Sequence, residues 1–227
     1  MSQPLALFGP GDFSDWSATV FRAVSRGGPA LVLSFGVAPM GEEFIPQLRK
    51  MATDHLDAIG LNHIAVLASE VRELDRPDNL IHLDDAGFVY MQGGSARYIA
   101  DTLSASHFFA EAVRLGVPWV GTSGATMAAG DHALDTSVSP VAFGPGLAIR
   151  PGTTFAAHWD TFPERFEGFR EGYEQLTQDS ALIALDEDTA VVDGGGEWTV
   201  FGNSAVHLRR NGAWQSFTAG QRFHLTE

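Results

Sequence analysis

The sequence predicts an α/β fold with a mostly parallel central sheet and antiparallel strands added in the C-terminal third. Three observations carry this expectation. Short apolar runs alternate with longer amphipathic segments as far as Ala129. Glycine and proline punctuate the junctions between them. From Leu182 onward the pattern changes to short strands separated by glycine-rich turns. Strands separated by helices of this length imply parallel crossovers within one sheet. The absence of an obvious linker implies a single domain over residues 1–227.

Taken in order, Leu5 to Phe8 reads as a strand and Asp15 to Ser25 as a helix with Trp16, Val20, Phe21 and Val24 on one face. Ala30 to Phe35 is apolar but for Ser34, as a strand buried on both faces would be. Glu42 to Ile59 reads as a longer helix ended by Gly60, and His63 to Leu67 as a third strand. Asn79 to Asp85 is a short connection. Gly87 to Met91 is a fourth strand, running into Gly93-Gly94. Ala96 to Leu115 is helical in two pieces, broken near Ser104-Ala105. Pro118 to Gly121 is a fifth strand, and Ser123 to Ala129 opens a helix. Leu147 to Ala157 reads as strand and turn, and Phe162 to Leu176 as helix. Five short strands between Leu182 and Phe217 then form an antiparallel addition to one edge of the sheet.

Composition narrows the partners. The formal net charge is −14, and no basic stripe offsets it. Nucleic acid and anionic membrane surfaces are therefore disfavoured. Hydrophobic residues make up 44% of the chain, enough for a sizeable core. The absence of cysteine removes disulfides, thiolate metal sites and a cysteine nucleophile. With no signal-peptide pattern and no apolar run long enough to span a bilayer, a cytoplasmic protein is expected. No metal or other cofactor is expected: His158-Trp159-Asp160 lacks ligand spacing, and Asp186-Glu187-Asp188 reads as a turn.

The chemistry concentrates in three places. Ser123 follows a buried strand and opens a helix between Gly121 and Gly124. A serine on such a turn projects its hydroxyl from the carboxyl end of the sheet, beside the free N–H groups of a helix start. The N–H of Gly124 is placed to stabilise an oxyanion. Gly93-Gly94 follows another strand at the same end, where Gly94 offers a second N–H. His158 follows in sequence, and an imidazole within reach of a serine serves as general base. Arg97, Arg165 and Arg170 are candidates for holding a substrate carboxylate. His132 is a further residue that could reach the cleft.

The order of strand-Gly-Gly, Gly121-Thr122-Ser123-Gly124-Ala125, and a histidine after a Pro-Gly segment resembles the aspartyl dipeptidase (peptidase E) and cyanophycinase family of serine peptidases. The ending Ala219-Gly220-Gln221-Arg222-Phe223 is also similar, so the resemblance covers most of the chain from Phe88 onward. It implies a three-layer sandwich like that of class I glutamine amidotransferases. It also implies Ser123 as nucleophile, His158 as base, and Gly94 and Gly124 as oxyanion donors. For the orienting acid it favours Asp135, with two alternatives. Asp135 lies between Ser123 and His158 in sequence. Asp160, two residues after His158, shares its face on an extended strand. Asp131 is a third choice. The chain departs from the family turn, which reads Ser-Ala-Gly-Ala, in having Ser123-Gly124-Ala125-Thr126. It also has Ser95-Ala96 where relatives carry larger polar residues.

The expected activity is hydrolysis of a small peptide, dipeptidase-like, by a Ser-His-acid mechanism through an acyl-enzyme. The alternative is a catalytically inactive binding or regulatory protein on the same fold, which the departures motivate. Self-association into a homo-oligomer is compatible with either.

Overall fold

In a computed structural model, which describes residues 3–225, Leu5–Gly9 (β1) is fully buried. Its apolar run is explained by its place at the centre of the main sheet, covered on both faces. The further strands are β2 (Ala30–Leu33), β3 (His63–Ala65), β4 (Phe88–Met91), β5 (Trp119–Thr122), β6 (His132–Asp135), β7 (Ala142–Pro145), β8 (Thr153–Ala156), β9 (Ala181–Leu185), β10 (Thr189–Asp193), β11 (Glu197–Gly202), β12 (Ala205–Arg210), β13 (Ala213–Thr218) and β14 (Arg222–His224). The helices are α1 (Ser17–Val24), α2 (Phe44–Ala58), α3 (Val71–Leu74), α4 (Pro77–Leu80), α5 (Ala96–Ser104), α6 (His107–Arg114), α7 (Gly124–Ala128) and α8 (Phe169–Leu176).

The main sheet has eight strands in the order β14-β11-β10-β1-β5-β4-β2-β3. The five strands from β1 to β3 in that order pair in parallel. β10, β11 and β14 pair antiparallel on the other side of β1. Alternate side chains of the parallel strands feed two cores, as the two-residue period of a strand requires. Phe8, Val32, Tyr90 and Val120 face α1 and α2. Leu7, Leu33, Met91 and Trp119 face α5, α6 and α7. On α1 the buried residues are Ser17, Val20, Phe21 and Val24, the i, i+3, i+4, i+7 stripe of an amphipathic helix.

A second sheet, β13-β12-β9-β8, contributes Phe155, Ile183 and Val206 to the second of these cores. Here the expectation of one antiparallel edge addition is corrected. The C-terminal strands divide between two sheets, and β8 pairs with β9 in parallel. The β6–β7 hairpin and β14 were not expected. The segment from Phe162 to Leu176 is not one helix: a 3-10 turn at Phe162–Glu164 is separated from α8 by Gly168 at φ 76°. The break between α5 and α6 falls where it was expected. Ser106 caps α6 by accepting from the Phe109 N–H at 3.1 Å. Among the described residues, no helix is long and apolar enough to cross a membrane.

This arrangement matters because carboxyl-terminal strand ends collect at one place. The loops after β1, β4 and β5 emerge together from the main sheet, where ligands bind in open parallel sheets. The loops after β8 and β9 reach them from the second.

Candidate active site

Ser123 is the last residue before α7 and has φ 54°, ψ −115°. That point mirrors an ordinary extended conformation and is costly for a side chain with a Cβ, at about 1–3 kcal/mol. Several contacts hold it. The Ser123 N–H donates to the Phe8 carbonyl at 3.1 Å, and the Met127 N–H donates to the Ser123 carbonyl at 3.1 Å. The Thr126 hydroxyl bonds the carbonyls of both Phe8 and Gly121, at 2.7 and 3.0 Å. Thr126 is one of the residues by which this turn departs from the family pattern, and here it ties β1 to β5 beneath the serine.

The two glycine loops are packed against this turn. A Cβ on Gly124 would lie 2.0 Å from the Gly94 carbonyl oxygen, and one on Gly93 would lie 2.8 Å from the Ser123 Cβ. Gly94 itself adopts φ 128°, which side chains rarely tolerate. Neither the Gly94 nor the Gly124 N–H donates to an acceptor among the described residues. Ser95 is committed elsewhere: it caps α5, accepting from the Tyr98 N–H at 3.3 Å. Gly124→Ala is expected to open this contact, lowering both the melting temperature and the reactivity of Ser123 toward a fluorophosphonate. Intact-mass kinetics and thermal unfolding check it.

His158 lies just beyond β8 with φ 57°. Its Nε2 is 2.8 Å from Ser123 Oγ, and its Nδ1 is 2.9 Å from Glu187 Oε1. Glu187, beyond the end of β9, also accepts from the Thr161 hydroxyl at 2.9 Å. The hydrogen bond from His158, followed by that from Thr161, holds its carboxyl below the usual range against the opposing effect of burial. As an ionised acceptor it fixes the imidazole proton on Nδ1, leaving Nε2 free to accept from the serine. Phe162 stacks on the imidazole, with centroids 4.1 Å apart and rings 5° from parallel. Burial lowers the His158 pKa below its usual value, partly opposed by the Glu187 hydrogen bond and charge.

The structure therefore brings Ser123, His158, Gly94 and Gly124 together, but not the acid read from the sequence. Asp135 turns its Oδ1 to the Ser137 N–H and hydroxyl at 2.9 and 2.6 Å, within the β6–β7 turn. Asp160 accepts the Glu187 N–H at 3.0 Å and so holds the backbone of the acid rather than the imidazole. Asp131 accepts from the Gly152 N–H. Glu187 takes the position because β8 and β9 are parallel neighbours, so the residues past their ends meet. The sequence signal was an acid just past an apolar strand. It was hidden among three consecutive acids that diverge: Asp186 to His207, Glu187 to His158, and Asp188 to Ser14 and Trp16. Asp135→Asn is expected to leave hydrolytic activity within about twofold of the parent, measured as kcat/KM.

Of the remaining candidates, His132 lies in β6 opposite Pro145. Arg97 is engaged by Asp101 and the Pro145 carbonyl. Arg170 bonds the Trp159 carbonyl and lies 5.0 Å from that ring's centre. The Arg165 guanidinium makes no hydrogen bond among the described residues, and its charge lowers the pKa of both His158 and Glu187. A cleft of about 420 Å³ opens beside Ser123, within the range of small-ligand sites. Among the described residues, no group of three or more acids and histidines could hold a metal ion.

No family model matches the chain, and no curated protein matches it. Solved structures do. A peptidase from an acI-B1 Actinobacterium superposes with a TM-score of 0.84 at 22% identity, over 99% of this chain and 97% of that one. A candidate peptidase E protein from Listeria monocytogenes superposes with a TM-score of 0.63 at 12% identity, over 90% of this chain and 100% of that one. At these identities the likeness is one of fold.

Proposed function

We propose that the protein is a serine peptidase of small peptides, on a class I glutamine amidotransferase-like sandwich. The observation that carries this is the unbroken line from Ser123 Oγ to His158 Nε2 and from His158 Nδ1 to Glu187 Oε1, at 2.8 and 2.9 Å. The strained serine turn and the peptidase names of the two fold neighbours support it.

In this reading Ser123 Oγ attacks the scissile carbonyl carbon as His158 Nε2 takes its proton. Glu187 keeps the imidazole oriented and stabilises the imidazolium. The developing oxyanion is received by the Gly94 and Gly124 N–H groups. His158 then returns the proton to the leaving amine, and water, deprotonated by the same imidazole, releases the acyl group. In the same reading Arg165, whose guanidinium makes no hydrogen bond among the described residues and whose charge reaches His158, attracts the carboxylate of a short peptide.

The test is a dipeptide library screen combined with fluorophosphonate labelling. Labelling at Ser123 with cleavage of at least one dipeptide supports the reading. An unlabelled protein whose Ser123→Ala variant cleaves as well as the parent refutes it.

A further inference from the structure

The cleft beside Ser123 has an unusual charge composition. Its walls include Phe13, Met40, Met127, Phe162 and Phe166. Among the described residues, no lysine, arginine or histidine lines it, and Asp12 is the one carboxylate that does. Asp12 follows the Gly9-Pro10-Gly11 turn after β1 and is only 5% exposed. Its Oδ1 accepts from the Thr122 hydroxyl at 3.0 Å, and its Oδ2 accepts from the Tyr90 hydroxyl. Both donors are neutral. The basic group whose electrostatics it touches is His55, but burial lowers the His55 pKa and the His55 Nε2 is engaged by the Ser17 hydroxyl at 2.8 Å.

A buried carboxylate without a cation is costly, and such charges are ordinarily paired. This one borders a cleft, so a ligand can bring the counter-charge. Thr122, which holds Asp12, is the residue immediately before the nucleophile. Asp12, Thr122 and Ser123 line the same cleft, so a cation bound to Asp12 shares it with the attacked carbonyl, as the amino group of an N-terminal residue does, two bonds from its own carbonyl carbon. The apolar walls suit an apolar side chain on that residue. Among the described residues, no cationic side chain lines the cleft to pair with an acidic one.

We propose that Asp12 is a specificity-determining residue that binds the α-ammonium group of peptides whose N-terminal residue carries an apolar side chain. This rests on the reading of Ser123 as nucleophile. It also departs from the acidic preference that the sequence resemblance implies.

Calorimetric titration of Ser123→Ala, which binds without turnover, tests it with Leu-Leu, N-acetyl-Leu-Leu and Asp-Leu. Leu-Leu is expected to bind at least about tenfold tighter than either of the others, since a buried charge pair is worth more than one decade. Adding Asp12→Asn is expected to remove that advantage while leaving the acetylated peptide unchanged. The three-ligand comparison on a single protein does not depend on the second variant folding. Equal or tighter binding of the acetylated or the acidic peptide overturns the proposal, as does failure of Leu-Leu to bind at millimolar concentration. Fluorophosphonate labelling of the parent separates the two claims. A labelled Ser123 without ligand preference overturns the Asp12 assignment alone, and an unlabelled one overturns the nucleophile reading on which it rests.

Discussion

Replacing Ser123 by alanine is expected to lower kcat/KM on any cleaved dipeptide by about 10⁴- to 10⁶-fold, because the nucleophile of a triad acts with its base as one unit. Covalent labelling should vanish with it. The same position yields a second measurement that a merely surface serine would not give. At φ 54°, ψ −115° any side chain is strained, but glycine reaches this region freely. Ser123→Gly should therefore be more stable than Ser123→Ala. Strain relief of about 1–3 kcal/mol is offset by the extra entropy of glycine in the unfolded chain, about 0.5–1 kcal/mol. The net difference is about 1 kcal/mol, or roughly 2–4 °C in melting temperature for a chain of this size. Equal melting temperatures for the two variants would mean that the turn is not strained and that the serine is not held by its surroundings. The Phe8, Gly121 and Thr126 contacts give the reason to expect otherwise.

Ser123, the glycine loop and His158 were legible in the sequence for a physical reason. Each marks the end of a buried strand, and the small residues that punctuate such an end are its immediate neighbours in the chain. The alternation of apolar runs and amphipathic segments likewise reports burial locally. That is why β1 to β5 with α1, α2, α5, α6 and α7 could be read to within a few residues, whereas the short helices α3 and α4 were not. What escaped depends on pairing between distant segments. Glu187 meets His158 across 29 positions of sequence, and only the parallel pairing of β8 with β9 brings them together. Asp135 satisfied the expected order of triad members, but order does not fix where a side chain points. Its own turn offered nearer donors in Ser137. The division of the last strands between two sheets was hidden in the same way. A short amphipathic strand carries no label for the partner it will choose.

The Glu187 assignment has the sharper consequence. Glu187→Gln is expected to reduce kcat by about 10³- to 10⁴-fold with little change in fold. An amide can donate to Nδ1, which moves the ring proton to Nε2 and points it at the serine. Glu187 is only half-buried, its side chain 43% exposed, so the loss should appear in catalysis rather than in stability. The pH profile gives an independent reading. His158 must be neutral to accept the serine proton, so kcat/KM falls as pH drops through its folded pKa. Burial lowers that pKa, and the parent's acid limb should lie below the ordinary imidazole value of about 6.5. The hydrogen bond and charge of Glu187 both act in the raising direction. Removing them should move the acid limb of the residual activity to still lower pH. Loss of activity without that displacement would point to a collapsed loop after β9 instead of a lost acid. A fully active Glu187→Gln beside an inactive Asp135→Asn would return the role to the residue that sequence order suggested.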